Sequence, residues 1–263
     1  MENKFFKTLV LIIVAQGFSV SSTFAEDKWI SLFNGESLDG WTVKFSGYEP
    51  GINYKDTFRA KDGILSANYD QYDKFNEEWG HIFYTNQKFS NYIIRLEYRF
   101  VGEQVANAPQ WAIRNNGIML HCQSPQSMGL VHGWPQSIEA QLLGGLNDGK
   151  ERPTGNLCTP GLHVMIEGEL EKTHCLNSSS ETYHGDQWVS AEVEVRGDKV
   201  IRHKINGELV MEYTKPQVDA GDPEHPPRVF KTGMPVTEGY IALQAESHNT
   251  EFRNIMLLNL DQK

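Results

Sequence analysis

Apolar and polar residues alternate along this chain in short runs, and the runs are separated by Gly, Pro, Asn and Asp. In "YIIRLEYRF", Tyr92, Ile94, Leu96, Tyr98 and Phe100 fall on one face of a strand and Arg95, Glu97 and Arg99 on the other, because side chains alternate along a strand. The region "WVSAEVEVRGDKVIRHKINGELVMEYTKP" repeats the pattern. Val189, Ala191, Val193 and Val195 alternate with polar residues, "RGDK" can turn, and Ile201, His203 and Ile205 follow before Asn206-Gly207. Asn-Gly between alternating runs is a strong hairpin signal, since both residues accept positive φ. Three antiparallel strands are therefore predicted here. "GYIALQAES" and "FRNIMLLNL" supply two more, with Phe252 and Ile255 as packing residues and Arg253 and Asn254 placed to tie down a strand end. No long amphipathic helix competes. The expected fold is all-β: a β-sandwich or jelly roll of two antiparallel sheets. The stretches 48–56, 69–78, 125–135, 146–160 and 217–235 read as loops, of the length that often wraps a site.

Three strands carry an unusual second face. "SIEAQLLGG" puts Ile138, Ala140 and Leu142 on one side and Glu139 and Gln141 on the other. "GIMLHCQ" sets Ile118, Leu120 and Cys122 against Met119, His121 and Gln123. "YIALQAESH" sets Ile241, Leu243 and Ala245 against Gln244, Glu246 and, on continuation, His248. Antiparallel sheets commonly have one wet face, so solvent alone could explain this. Ordinary wet faces tend to carry Lys and Thr, however, and these strands have neither there. His, Glu and Gln bind hydroxyls, move protons and ligate metals. The expectation is a polar binding cleft. His132, His163, His174, His184, His203 and His225 are scattered and read as structural. Trp41, Trp79, Trp111, Trp134 and Trp188 could line a core or a rim.

Charge and targeting signals narrow the partners. The 263 residues carry 24 Lys+Arg against 34 Asp+Glu, a formal net charge of -10 without a basic stretch. That composition disfavours nucleic acid, whose backbone demands cations. Lys4 and Lys7 precede the apolar run "TLVLIIVAQGFSV" and a small-residue end at Ala25, the pattern of a secretory signal peptide over residues 1–25. The run is too short and interrupted for a confident membrane span. A single domain from about Glu26 to Lys263, exported to the periplasm or the exterior, is the expectation. Of Cys122, Cys158 and Cys175, an exported protein could oxidise two, and the spacing leaves the pair open.

Six motifs occurring in order, "LFNGESLDGW", "NNGIMLHC", "IEAQLLGG", "PTGN", "INGELV" and "GYIALQAESHNTEFRNIMLLNL", make the chain similar to the 3-keto-disaccharide hydrolase domain family over nearly its whole mature length. The resemblance implies a concanavalin A-like jelly roll acting on sugars oxidised at carbon 3. The family's Asn-Ser-Gly-Ile matches Asn115 to Ile118, with Asn116 where Ser is usual. Its Glu-x-Gln matches Glu139 and Gln141, its Thr-Gly matches Thr154 and Gly155, its Leu-Gln matches Leu243 and Gln244, and its Phe-Arg-Asn-Ile matches Phe252 to Ile255. Three positions depart: His121 where Arg is common, Gly144 where an acid often follows the Glu-x-Gln strand, and Glu246 where His is common, with His248 two residues later.

The implied chemistry starts from a ketone at carbon 3, which acidifies the proton on carbon 2. A base that removes it forms an enolate, which can expel the group on carbon 1, and water can add back for net hydrolysis. Such a reaction needs a tuned base and donors for the enolate oxygen. Glu139, His121 and Glu246 are the candidate acid-base residues. Gln141, Gln244, Asn115 and His248 are candidate substrate ligands. A divalent cation held by His121, Glu139, Glu246 and His248 could polarise the ketone. A two-carboxylate glycosidase using Glu139 and Glu246 and a non-catalytic glycan-binding jelly roll are the alternatives, because one fold hosts all three.

Overall fold

The computed structural model describes residues 28–222 and 231–261; the expected signal peptide lies outside the described residues, as does His225. Two antiparallel sheets face each other. The larger has ten strands, running in space Glu169–Glu171, Leu162–Ile166, Glu208–Val218, Val200–Ile205, Val189–Arg196, Asn91–Gln104, His248–Asn259, Ile64–Ala67 and Phe58–Lys61, with Trp29–Ser31 also paired to His248–Asn259. The smaller has seven, in the order Cys175–Leu176, Asn156–Cys158, Ile138–Leu143, Asn115–Cys122, Gly239–Ala245, Gly80–Phe89 and Trp41–Phe45. The only helical elements among the described residues are three single turns, and no described helix is long and apolar enough to cross a membrane.

The alternation seen in the sequence becomes the core. Tyr92, Ile94, Leu96, Tyr98 and Phe100 are buried on the inner side of the larger sheet, against Ile118, Leu120, Ile138, Leu142, Ile241 and Leu243 of the smaller. Asn206 and Gly207 take φ of 49° and 89°, both positive, and close the hairpin between Val200–Ile205 and Glu208–Val218. The outer side of the larger sheet is wet and laced with cross-strand ion pairs. Arg253 Nε lies 2.9 Å from Glu97, Arg99 Nη2 lies 2.6 Å from Glu251, and Lys204 Nζ lies 2.9 Å from Glu192. Asn254 Nδ2 also donates to Glu97 at 2.6 Å, so Arg253 and Asn254 hold the strand bend between them and Met256.

The outer side of the smaller sheet is different: it is covered. The segment 124–135 passes over it. Met128 packs with Met119, Phe83 and Ala242 in a small apolar cluster. Lys44 Nζ donates to the Leu130 carbonyl at 3.0 Å, and Ser46 Oγ to that of Val131 at 2.9 Å. A sheet with both faces covered can hold polar groups out of water, and this one does. The stretch 146–160 is not wholly loop, since Asn156–Cys158 joins the sheet beside Ile138–Leu143. Its three residues are too few to show an alternating pattern.

Candidate functional site

Register places the polar residues in two rows across the smaller sheet. Glu139 pairs with Met119 on one side and with Cys158 on the other. Gln141 pairs with Gly117 and Asn156. Leu243 pairs with Ile118, which sets Gln244 level with Gly117. Gly117 has a specific part here. A Cβ at this position would meet Glu139 Oε1 at 2.5 Å and Gln244 Oε1 at 2.8 Å. Only the bare backbone lets these two side chains lean over the strand together. Glu246 enters from just beyond Gly239–Ala245, where the chain leaves the smaller sheet for the larger one. Ser247, at φ 81°, makes that turn.

A hollow of about 270 Å³ opens above these residues, lined by Asn115, Glu139, Gln141 and Glu246 with Trp111, Trp134, His174, Pro160, Cys158 and Cys175. Glu139 and Glu246 are 5% and 3% exposed. Burial pushes both carboxyls up: Glu139 well above the ordinary carboxylate range, with the charge of Glu246 adding to the effect, and Glu246 to about 7. Gln244 beside Glu139 and the Trp134 indole beside Glu246 oppose this without overcoming it. No Arg or Lys contributes to either carboxyl. The contrast with the outer side of the larger sheet is complete, since there the carboxylates named above each meet a cation. Burial thus favours the neutral form of both carboxyls, and the charge of Glu246 adds to this at Glu139, so the two titrate as a linked pair.

Hydrogen bonds fix the pair's surroundings. Trp134 Nε1 donates to Glu246 Oε1 at 3.0 Å, while Glu246 Oε2 is buried without a protein partner. Asn115 Oδ1 is likewise buried and unpartnered. Gln141 Oε1 accepts from Asn156 Nδ2 at 3.1 Å, and Asn116 Nδ2 donates to the Gln244 carbonyl at 2.9 Å. Buried acceptors left unmade are costly. Glu246 Oε2 and Asn115 Oδ1, both in side chains lining one small hollow, suit a ligand rich in hydroxyl donors.

Two of the residues singled out in the sequence stand elsewhere. His121 does not join Glu139. Between Met119 and Cys122 the strand Asn115–Cys122 holds one residue more than its partner does between Ala242 and Tyr240, and His121 has φ 52°. This β-bulge turns the His121 ring into the core, edge-on to Tyr92 with centroids 6.5 Å apart, where Nε2 meets the Gly197 carbonyl at 3.1 Å. Cys122 moves the other way, off the Ile118 and Leu120 face and into the outer cluster with Met119 and Phe83. His248 starts a strand of the larger sheet, packed edge-on against Phe100 at 5.7 Å. Burial and the nearby Arg114 and Arg152 push it down to about 4. Both histidines therefore lie outside the residues lining the hollow. The four-residue metal set does not assemble, and no cluster of three or more His, Cys, Asp or Glu suited to a metal occurs among the described residues.

Other residues enter that the sequence reading left aside. His174, taken as structural, sits exposed at the mouth, and Cys175 beside it is joined to Cys158 by a disulfide that forms one wall. The edge pairing of Cys175 with Cys158 across two short strands settles which cysteines join, and Cys122 remains free and buried. Trp111 and Trp134 are rim residues, whereas Trp41 belongs to the core. Trp188 lies on the wet face between Arg99 and Arg253. A larger hollow of about 470 Å³ lies at the opposite end of the sheet, near His121, Gln123, Gln136 and Tyr240. It lacks the carboxylate pair, so its size does not make it the seat of chemistry.

A β-sandwich that buries an uncompensated carboxylate pair beneath a tryptophan-rimmed hollow has the form of a carbohydrate-active protein. The chain belongs to the family of the 3-keto-alpha-glucoside-1,2-lyase-like domain, whose model matches residues 28–258, and the family ties it to carbohydrate chemistry. A comparison with curated proteins gives no match. Among solved structures, two proteins of Parabacteroides distasonis ATCC 8503, each provisionally described as a glycosyl hydrolase, share the fold. One superposes with a TM-score of 0.52 at 20% identity, covering 89% of this chain and 100% of its own. The other does so with 0.52 at 18% identity, covering 89% and 94%.

Proposed function

We propose that the protein cleaves glycosides oxidised at carbon 3, by removing the proton on carbon 2 and eliminating the group on carbon 1. The observation that carries this reading is the buried, cation-free pair of Glu139 and Glu246, within a chain of this family. A base poised near 7 suits abstraction of a proton next to a ketone at neutral pH. Glu246 is the base: the Trp134 indole holds Oε1, and Oε2, buried without a protein partner, is left to take the carbon 2 proton. Glu139, held in its neutral form by burial, delivers its proton to the oxygen leaving carbon 1. The C2–H and C1–O bonds break, a C1=C2 bond forms, and the released alcohol carries away the proton from Glu139. Addition of water across C1=C2 reverses the sequence with hydroxide in place of the alcohol, for net hydrolysis. Asn115 and Gln141 hold the sugar's hydroxyls and the enolate oxygen.

No step is routed through a metal, because two of the four candidate ligands, His121 and His248, lie outside the lining of the hollow that holds Glu139 and Glu246. The Cys158–Cys175 disulfide supports export to an oxidising compartment. The test is turnover of a 3-keto-glucoside beside its unoxidised parent. Cleavage of the keto sugar alone, lost in Glu139→Gln and Glu246→Gln with the fold retained, is the expected result. Cleavage of the parent sugar would point to two-carboxylate hydrolysis instead, and binding without cleavage of either to a glycan-binding module.

A further inference from the structure

The hollow that holds the carboxylate pair is small. At about 270 Å³ it falls below the usual range of drug-sized pockets, roughly 300–1,000 Å³, and accommodates about one sugar ring. The group leaving carbon 1 must then lie at the mouth. Among the lining residues, Trp111, His174 and Cys175 are exposed, whereas Asn115, Glu139, Cys158, Pro160 and Glu246 are buried. The mouth is therefore framed by an indole on one side and by the edge of the disulfide wall on the other.

Trp111 is built as a platform. It is 53% exposed, yet one ring face is already occupied: it stacks on Trp79 at 5.1 Å and 20°. Trp79 in turn packs against Trp134 at 4.9 Å and Phe75 at 4.7 Å. Behind it, the Trp111 carbonyl accepts from Arg152 Nη2 at 3.3 Å, and the same guanidinium grips the carbonyls of Gly144 at 2.6 Å and Arg114 at 3.1 Å. The ring is thus held from two directions, which lowers the ordering cost of binding against it. Aromatic faces take apolar ring faces in offset or edge contacts, and a pyranose presents such a face through its C–H bonds.

Resting on the elimination reading, we propose that Trp111 is the leaving-group platform and determines specificity. Trp111 then sets how strongly the protein favours a leaving group with an apolar ring face over a small alcohol.

The test compares a 3-keto-disaccharide with 3-keto methyl glucoside in wild type, Trp111→Ala and Trp111→Phe. Each variant is read as a ratio to wild type on the same substrate, which cancels the intrinsic ease of leaving. Trp111→Ala is expected to lower kcat/KM for the disaccharide about tenfold more than for the methyl glucoside, with Trp111→Phe restoring most of the difference. Equal losses on both substrates, or none, would overturn the proposal. If wild type turns over neither compound, the elimination reading fails separately, and calorimetric binding of the 3-keto-disaccharide decides the platform. About tenfold weaker binding in Trp111→Ala supports it; unchanged affinity, or no binding to wild type, overturns it.

Discussion

Replacing Glu246 by Gln should remove a defined pH-dependent cost from the folded protein. Glu246 has an ordinary value of 4.5, and burial carries it to about 7 in the fold. Below 4.5 both the folded and the unfolded chain hold the proton. Between 4.5 and about 7 only the folded chain does, so raising the pH drains stability through this window. Above about 7 both states are ionised and the whole cost is present. At about 1.4 kcal/mol for each tenfold, the gap corresponds to about 3 kcal/mol. Glutamine keeps an oxygen for the Trp134 indole and has no charge to bury. The assay is urea unfolding of wild type and Glu246→Gln at intervals from pH 4 to pH 8.5, extrapolated to water. Neither curve alone is diagnostic. His203 and His248, both pushed down to about 4 by burial, lose stability as pH falls below their ordinary 6.5 and tilt the profile the opposite way. The difference between the two proteins cancels them. It should move by at least about 3 kcal/mol in favour of the variant between pH 4.5 and pH 8, because Glu139 is also relieved of the charge of Glu246. A difference that stays flat across that window would refute the claim that Glu246 is an uncompensated buried carboxyl, and with it the choice of this residue as base.

The same pair predicts the rate profile: kcat/KM for a 3-keto-glucoside should rise with pH and level off above about 7 as Glu246 ionises, and a flat acid limb would remove it as the base. Gly117→Ala should separate Glu139 from Gln244, which its Cβ would meet at 2.5 and 2.8 Å, and lower kcat at least tenfold, a drop of about 1.4 kcal/mol in transition-state stabilisation, in protein that still unfolds cooperatively; wild-type turnover in that variant would show the close approach to be irrelevant. Cys175→Ser opens a loop spanning 17 residues and should cost about 3 kcal/mol in urea unfolding while raising KM through loss of a wall of the hollow. Arg152→Ala strips the donor from the carbonyls of Gly144, Arg114 and Trp111 and should cost about 2–3 kcal/mol, which equilibrium unfolding would measure.

The sandwich was legible because its core obeys a period of two. Tyr92 to Phe100, with Ile93 its one exception, and Val189 to Val195 alternate throughout, and Asn206-Gly207 marks a turn that few other dipeptides make. The same period put Glu139 and Gln141 on one side of their strand, and the two do line the hollow together. Where the period breaks, the pattern misleads. One extra residue near His121 exchanges the faces of His121 and Cys122, and no local feature of "IMLHCQ" marks that bulge. The turn at Ser247 leaves Glu246 just beyond the smaller sheet and starts a strand of the larger one at His248, although strict alternation would have kept them together. The rim was illegible for another reason. Trp111, Trp134, His174 and Cys175 come from separate segments, and only the closed sandwich brings them to one mouth.

The arrangement of charge over the two outer faces favours a site over a wet sheet. A fold that needed Glu139 only for solubility would leave it in water or give it a cation, as it does for Glu97, Glu192 and Glu251. Instead the segment 124–135 is drawn across the smaller sheet, fastened at Leu130 and Val131 through Lys44 and Ser46, and its far end delivers the Trp134 indole to Glu246. The cover thus does two things through one piece of chain. It excludes water from the neighbourhood of the carboxyls, which raises them, and it supplies the indole donor that orients Glu246. Removing the charge should stabilise the protein, so the pair is not retained for stability. Its place is what the elimination proposed above requires: a base and an acid held together in one dry hollow.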